Sequence, residues 1–290
     1  MMALLAFARA VHFASLMGMF GGSAYTALLQ RARLPTPHAR NERMVLVCAA
    51  TLALASGLLW FCLIAGEMSG DLRGSIDPGT LKLVASETRF GHIFAARFLA
   101  LIALVFVCGG TTSAKRGVAI AILSGVLLAS LAPISHAAAD MGPMVLGAAS
   151  DAAHLLTAGF WFGGLIVLAM LALQRWDYRT ALIRPLRLFS LWGSFAVGIL
   201  VITGLTNALS IIPTSAVSFR DPYFNLLVVK AALAATMIGF AALNRWQFAP
   251  ALESGSRGAV RHLTGSIGIE IILGVAIVGV AALLGLMGPR

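Results

Sequence analysis

The chain has 290 residues, of which 59% are hydrophobic and only 11% charged, and its mean hydropathy is +0.92. Water-soluble domains carry about 25% charge, so a soluble fold is excluded and disorder with it, while three cysteines are too few for a disulfide scaffold. A formal net charge of +10 poses the question of nucleic acid, which the placement of the charges decides.

A hydrocarbon core of about 30 Å takes roughly 20 apolar residues as helix. Eight such runs lie near 4-29, 44-66, 91-110, 117-133, 146-174, 187-211, 223-247 and 264-287. The expected fold is an all-α integral membrane protein with eight transmembrane helices in one domain, 1-290, and no gap long enough for a soluble domain. The first run holds Arg9 and His12 and no small-residue cleavage site follows it, so it reads as a retained helix and not a signal peptide. The loops after the first, third, fifth and seventh runs carry thirteen of the 21 Lys and Arg residues, from Arg31 and Arg33 to Arg257 and Arg261. By the positive-inside rule those loops are cytoplasmic and both termini lie outside. The net charge is therefore a mark of topology, and nucleic acid is not an expected partner. Nor is a nucleotide, since the chain has neither a P-loop nor a cytoplasmic domain to hold one.

The runs also repeat. His12 is followed after eight residues by Gly21-Gly22, and His154 by Gly163-Gly164, each pair directly behind a phenylalanine, Phe20 and Phe162. Ser56-Gly57-Leu58 in the second run answers Thr203-Gly204-Leu205 in the sixth; Phe90 and Arg97 in the third answer Tyr223 and Lys230 in the seventh. Three helix pairs match in order, which points to a parallel four-plus-four repeat with halves 1-145 and 146-290. It puts His12 and His154 at equal depth, about two turns or roughly 10 Å below the outer surface.

Of the six histidines, His38 and His262 fall in cytoplasmic loops and read as solvated, whereas His12, His92, His136 and His154 gather toward the outer face. Ionisable groups inside a bilayer are costly and mark function. Asp151 lies one turn before His154, Met17 and Met19 follow His12, and Met141 follows His136. Imidazole with thioether suits copper, Cu(I) above all, whereas Ca²⁺ and Mg²⁺ want oxygen ligands. The expected metal ligands are His12, His154, His136, His92, Met17, Met19, Met141 and Asp151. Core packing is the competing reading for the methionines, and a hydrogen bond between helices for each histidine. Arg97, Lys230 and Glu270 are intramembrane charges; Glu270 and Lys230 are expected to pair across neighbouring helices, with snorkelling the competing reading for the two cations. Gly18 with Gly22 and Gly159 with Gly163 are GxxxG pairs, expected to pack the first and fifth helices together. Cys48, Cys62 and Cys108 are dispersed and read as inert. No run has two histidines about four turns apart, the spacing that stacks two haems, but a single haem between His12 and His154 stays open.

The residues from His154 to Gly164, Arg184-Pro185-Leu186 with Phe189-Ser190, Thr203-Gly204, Pro222-Tyr223 to Lys230, Asn244-Arg245, Pro250 and Glu270, with His12 and His136, resemble the bacterial copper resistance protein D family over nearly the whole chain. Phe224 departs from the glycine usual after that tyrosine, which bears on how the helix is entered. The resemblance implies a multi-pass protein of the inner (cytoplasmic) membrane that is not an enzyme and takes up copper, Cu(I) or Cu(II), from a periplasmic copper-binding carrier, the lipid bilayer being its other partner. The membrane potential favours that direction by about 2.3 kcal/mol per charge per 100 mV. Two further readings use the same histidines: a membrane haem or copper redox protein, and a copper sensor or assembly factor.

Overall fold

The computed structural model describes residues 1–111, 113–132, 144–174, 178–211, 221–256 and 258–287, and no strand occurs among them. The helices are α1 (Met2–Arg31), α2 (Ala39–Ser69), α3 (Pro78–Glu87), α4 (Arg89–Gly109), α5 (Ala114–Ala129), α6 (Met144–Ala172), α7 (Tyr178–Ile211), α8 (Pro222–Leu243), α9 (Ala249–Glu253) and α10 (Ala259–Leu284). A 3₁₀ turn, Leu72–Ser75, precedes α3, and a π-helical turn, Asn244–Phe248, joins α8 to α9. Among the described residues seven helices are long and apolar enough to cross a membrane. α5, expected as a span near 117–133, is a 16-residue helix of about 24 Å and falls short of that length.

Side-chain caps fix where the helices begin. The Asp77 carboxylate accepts from the Thr80 backbone N–H at 2.7 Å and from its hydroxyl at 2.8 Å, behind Pro78 in the first turn of α3. Those two bonds hold Asp77 below the usual carboxylate range. α3 was not among the expected elements, and the Asp-Pro pair is the one mark of it in the sequence. Thr88, Ser113 and Asp221 cap α4, α5 and α8 in the same manner. At the opposite end of α4 the free carbonyls are met by arginines: Arg116 donates to Cys108 O at 3.0 Å, and Arg43 to Gly109 O.

The centre of the bundle is the seam between α1 and α6. A methyl group on Gly21 would stand 1.9 Å from the Gly159 carbonyl oxygen, and one on Gly163 would stand 2.2 Å from the Gly22 nitrogen. The two backbones therefore touch, which is how helices associate where lipid supplies no hydrophobic force. Gly21 makes this crossing with Gly159; Gly18, the expected partner, meets only the Ile166 side chain at 3.4 Å. Phe20 packs on Gly125 of α5, and Phe162 on Gly274 of α10.

Around this seam two apolar clusters form. One joins α1, α2, α4 and α5 through Trp60, Phe61 and Phe94, with Trp60 and Phe94 edge to face at 5.1 Å. The other joins α6, α7 and α10 through Trp161, Phe189 and Ile267. Tyr25 of α1 ties into it, its ring 5.4 Å from Phe189 and its hydroxyl donating to Pro185 O at 2.6 Å. The clusters differ in one respect that matters for the site. α2 packs directly on α4, whereas α7 packs on α6 and α8 on α10, and α7 and α8 hardly touch. A cleft runs between them.

Candidate functional site

Two cavities among the described residues open along that cleft, one at each end. The first, about 360 Å³, lies toward the start of α8 and is lined by Asp151 and His154 of α6, Gly204 and Asn207 of α7, Tyr223 and Lys230 of α8, and Arg9 and Met17 of α1. The second, about 540 Å³, lies toward the basic loops and is lined by Arg187, Ser190 and Ser194 of α7, Asn244 and Arg245 of the π turn, Glu253 of α9, Glu270 of α10 and Trp161 of α6. On α7 the two linings stop at Val197 and resume at Gly204; on α8 they stop at Lys230 and resume at Ile238. Seven or eight residues of helix, about 11 Å, separate them.

In the first cavity His154 Nδ1 meets Thr203 Oγ1 at 2.9 Å, and the Thr203 hydroxyl donates to Ile199 O at 2.7 Å. With its hydrogen spent there, Thr203 accepts from Nδ1–H, which leaves Nε2 as the lone-pair nitrogen, the form that binds a metal. Asn207 orders the carboxylate beside it: Ser150 donates to Asn207 Oδ1 at 2.7 Å, and Asn207 Nδ2 donates to Asp151 Oδ1 at 2.6 Å. Such outer partners fix the direction of a ligand group. Arg9, on the far wall, donates to Gly285 O at 2.7 Å and lies 5.0 Å over the Trp60 ring.

His12 has a different environment. It is fully buried, its Nδ1–H donates to Ala53 O at 2.8 Å, and its Nε2 accepts from Arg97 Nη2 at 2.7 Å. Arg97 also donates to Leu127 O at 2.5 Å and to the Ser130 hydroxyl. Both ring nitrogens of His12 are thus engaged within the fold, and none is left for the iron of a haem shared with His154.

The structure therefore brings His154, Asp151, Met17 and Lys230 to one cavity and sets His12, Met19 and His92 elsewhere. Met19, two residues and about 200° around the helix from Met17, is buried in the core. His92 is exposed, its Nε2–H donating to Ser86 O at 2.7 Å. His136 and Met141 lie outside the described residues. Among the described residues no three His, Cys, Asp or Glu side chains gather as a metal cluster. The expected ion pair of Glu270 with Lys230 does not form: Glu270 accepts from Asn244 Nδ2 in the second cavity, while Lys230 lines the first. Fourteen residues of helix separate Lys230 from Asn244, about 21 Å.

Asn207 was missed from sequence. Its signal was present, since Thr203, Gly204 and Asn207 fall at the three- and four-residue spacing of one helix face. Asn244 was noticed as a motif residue only; what could not be read is the π turn that aims it. Ala249 N–H bonds to Asn244 O, five residues back, and Pro250 next to it has no N–H to offer, so the ladder widens at that point.

The family model of the Copper resistance protein D-like N-terminal domain matches residues 1–148, and that of Copper resistance protein D matches residues 183–284. The second interval spans every helix that lines the second cavity except α6. The chain is 28% identical to Copper resistance protein D of Pseudomonas syringae pv. tomato, over 86% of this chain and 84% of that one. It is also 28% identical to the Inner membrane protein YebZ of Escherichia coli (strain K12), over 97% of both. A third relative, the Copper transport protein CutJ of Bacillus subtilis (strain 168), is 28% identical over 82% of this chain, which spans 45% of that protein. No solved structure matches the chain.

Proposed function

Because the chain belongs to the copper resistance protein D family, we propose that it carries copper ions across the bacterial inner membrane, into the cytoplasm, along the cleft between α7 and α8. One observation carries this reading: two mainly apolar cavities, each with a few polar and charged side chains in its lining, at opposite ends of one cleft between two helices that do not close on each other, with about 11 Å of helix between them. Alternating access needs this arrangement of a site, a barrier and a second vestibule.

In this reading the first cavity faces the periplasm and the second the cytoplasm, as the basic loops require. Both termini are periplasmic, and α5, with the residues after it, completes an eighth span. His154 Nε2, Met17 and Asp151 supply nitrogen, thioether and carboxylate to the ion. His136 and Met141 take it from a periplasmic carrier, and His92 stands at the same face. His12 serves a structural role, as the acceptor that holds Arg97 inside the bundle. The two halves are taken as a repeat: Gly57 faces the Cε1 edge of His12 as Gly204 faces that of His154, at 3.1 and 3.4 Å from a notional methyl, and the Phe20–Gly125 contact is matched by Phe162–Gly274.

The test is copper uptake into proteoliposomes with an inward-negative potential. His154→Ala and Asp151→Asn are each expected to lower the initial rate at least tenfold while the protein elutes and melts as the wild type does. Undiminished uptake by a well-folded His154→Ala protein would sink the proposal.

A further inference from the structure

The second cavity contains a group that the copper ligands leave unused. Glu270 is 1% exposed, lies midway along α10, and has an amide as its bonded partner, Asn244 Nδ2. No cation pairs with it among the described residues. The charged side chains that share its cavity come from α7, the π turn and α9, and all are engaged elsewhere. Arg187 holds Glu253 through two bonds of 2.6 Å, and Arg245 donates to Ser190 O at 3.3 Å and to the Ser194 hydroxyl. From α1, Arg9 meets α10 only at Gly285, fifteen residues farther along, and α6 contributes the neutral Trp161.

One further polar group faces this point without a partner: Asn244 Oδ1 is buried and makes no hydrogen bond, its residue being 7% exposed. The Trp161 indole N–H, also buried, is a second neutral donor toward Glu270. An ionised carboxylate leaves Asn244 Oδ1 unsatisfied, because it has no hydrogen to give; a protonated one supplies the missing donor. An unpaired buried carboxylate is also the costly form in a low-dielectric interior. The cavity reaches solvent at the Arg187–Glu253 pair, which is 66% and 32% exposed, so a proton has an aqueous route. The π turn, a device frequent at functional sites, is what brings Asn244 to Glu270.

We propose that Glu270 is a proton-binding site that exchanges with water at the basic end of the bundle through this cavity. A hydronium ion gives its proton to a Glu270 carboxylate oxygen and leaves as water, and the new O–H donates to Asn244. The site stands on its own geometry; only its coupling to the ion rests on the transport reading above.

The experiment is pH-difference infrared spectroscopy on the purified full-length protein in lipid nanodiscs. Acidification is expected to raise a carboxylic-acid carbonyl band. Glu270→Gln, which keeps the side-chain shape and the acceptor for Asn244, is expected to abolish that band. Asn244→Leu, which frees the acid carbonyl of its N–H donor, is expected to move the band to higher wavenumber. A band unchanged in Glu270→Gln, or none in the wild type, would overturn the proposal. In proteoliposomes loaded with a pH dye, wild-type copper uptake is expected to move protons, and Glu270→Gln to separate the two fluxes. Absence of copper uptake by the wild type would count against the transport reading, and the infrared band, recorded without copper, would still decide this one.

Discussion

The α1–α6 seam gives the sharpest structural test, because its tolerance can be worked out atom by atom. Replacing Gly21 by alanine sets a methyl 1.9 Å from Gly159 O, 2.7 Å from Gly159 C and 2.8 Å from Phe160 Cα, all of them backbone atoms that no rotamer change can move. Ordinary contact is about 3.5 Å, so α1 and α6 must part by roughly 1.5 Å. Overpacking of this kind costs about 1–3 kcal/mol, against which alanine gains up to about 1 kcal/mol of helix propensity over glycine. Gly239→Ala in α8 is the control: a methyl there meets nothing within 4 Å, so it has the propensity gain alone. The two variants should therefore differ by about 1–3 kcal/mol in unfolding free energy, measured by denaturant titration in mixed micelles. Gly163→Ala strains the same seam from the other side, at 2.2 Å from Gly22 N. One separation of the helices relieves both clashes, so the double variant should lose less than the two single losses added together. Equal stability of Gly21→Ala and Gly239→Ala would refute the backbone seam as the packing centre.

Two other expectations follow from the polar pairs. Arg97→Met leaves His12 Nε2 buried without a donor, whereas Leu127 O keeps the Ser130 hydroxyl at 2.9 Å; the one orphaned acceptor should cost about 1–3 kcal/mol in the same titration, with copper binding to the purified protein retained. Lys230→Met removes an ammonium from the cavity that would hold the ion; like charges repel by up to about 4 kcal/mol at 4 Å and an effective dielectric of about 20, and by less farther apart, so copper affinity by competition with a chelator should rise, about tenfold for each 1.4 kcal/mol relieved, and an unchanged or weaker affinity would exclude that cavity as the cation site.

The apolar runs were legible because a bilayer sets both the length and the composition of what crosses it, and the run boundaries recur in the helices to within a few residues for most of the chain. The short α3 was not, since ten residues make no hydropathy signal and only the Asp77-Pro78 start announced it. His12 and His154 each meet a glycine of the next helix, Gly57 and Gly204, the two that the Ser-Gly-Leu and Thr-Gly-Leu match had set side by side. What the sequence left hidden was the azimuth of each side chain and the reach of its neighbours. Met17 and Met19 look alike as text, and only Met17 faces a cavity. Glu270 and Lys230 looked like a pair because both are rare charges in apolar helices, but the helix rise holds them at opposite ends of the cleft.

The two histidines end in different states because two positions around each of them carry different chemistry. One turn before the histidine stands Arg9 in α1 and Asp151 in α6; one turn after the facing glycine stands Trp60 in α2 and Asn207 in α7. Each couple is in contact, Arg9 over the Trp60 ring at 5.0 Å and Asp151 on Asn207 Nδ2 at 2.6 Å. In the first couple a cation lies against a bulky aromatic ring, whose edge also closes on His12 at 5.8 Å and leaves no space. In the second, a carboxylate held by a small amide leaves a cavity beside the ring nitrogen of His154. The third partner follows the same division. A guanidinium has donors enough to join His12, Leu127 and Ser130 at once and lock α4 to its neighbours, whereas the single ammonium of Lys230 cannot span such a set. In the proposed reading a cation is accepted where the position before the histidine is the carboxylate of Asp151 and the facing helix carries the small Asn207, and the cavity there lies where α7 and α8 stand apart and not where α2 and α4 close.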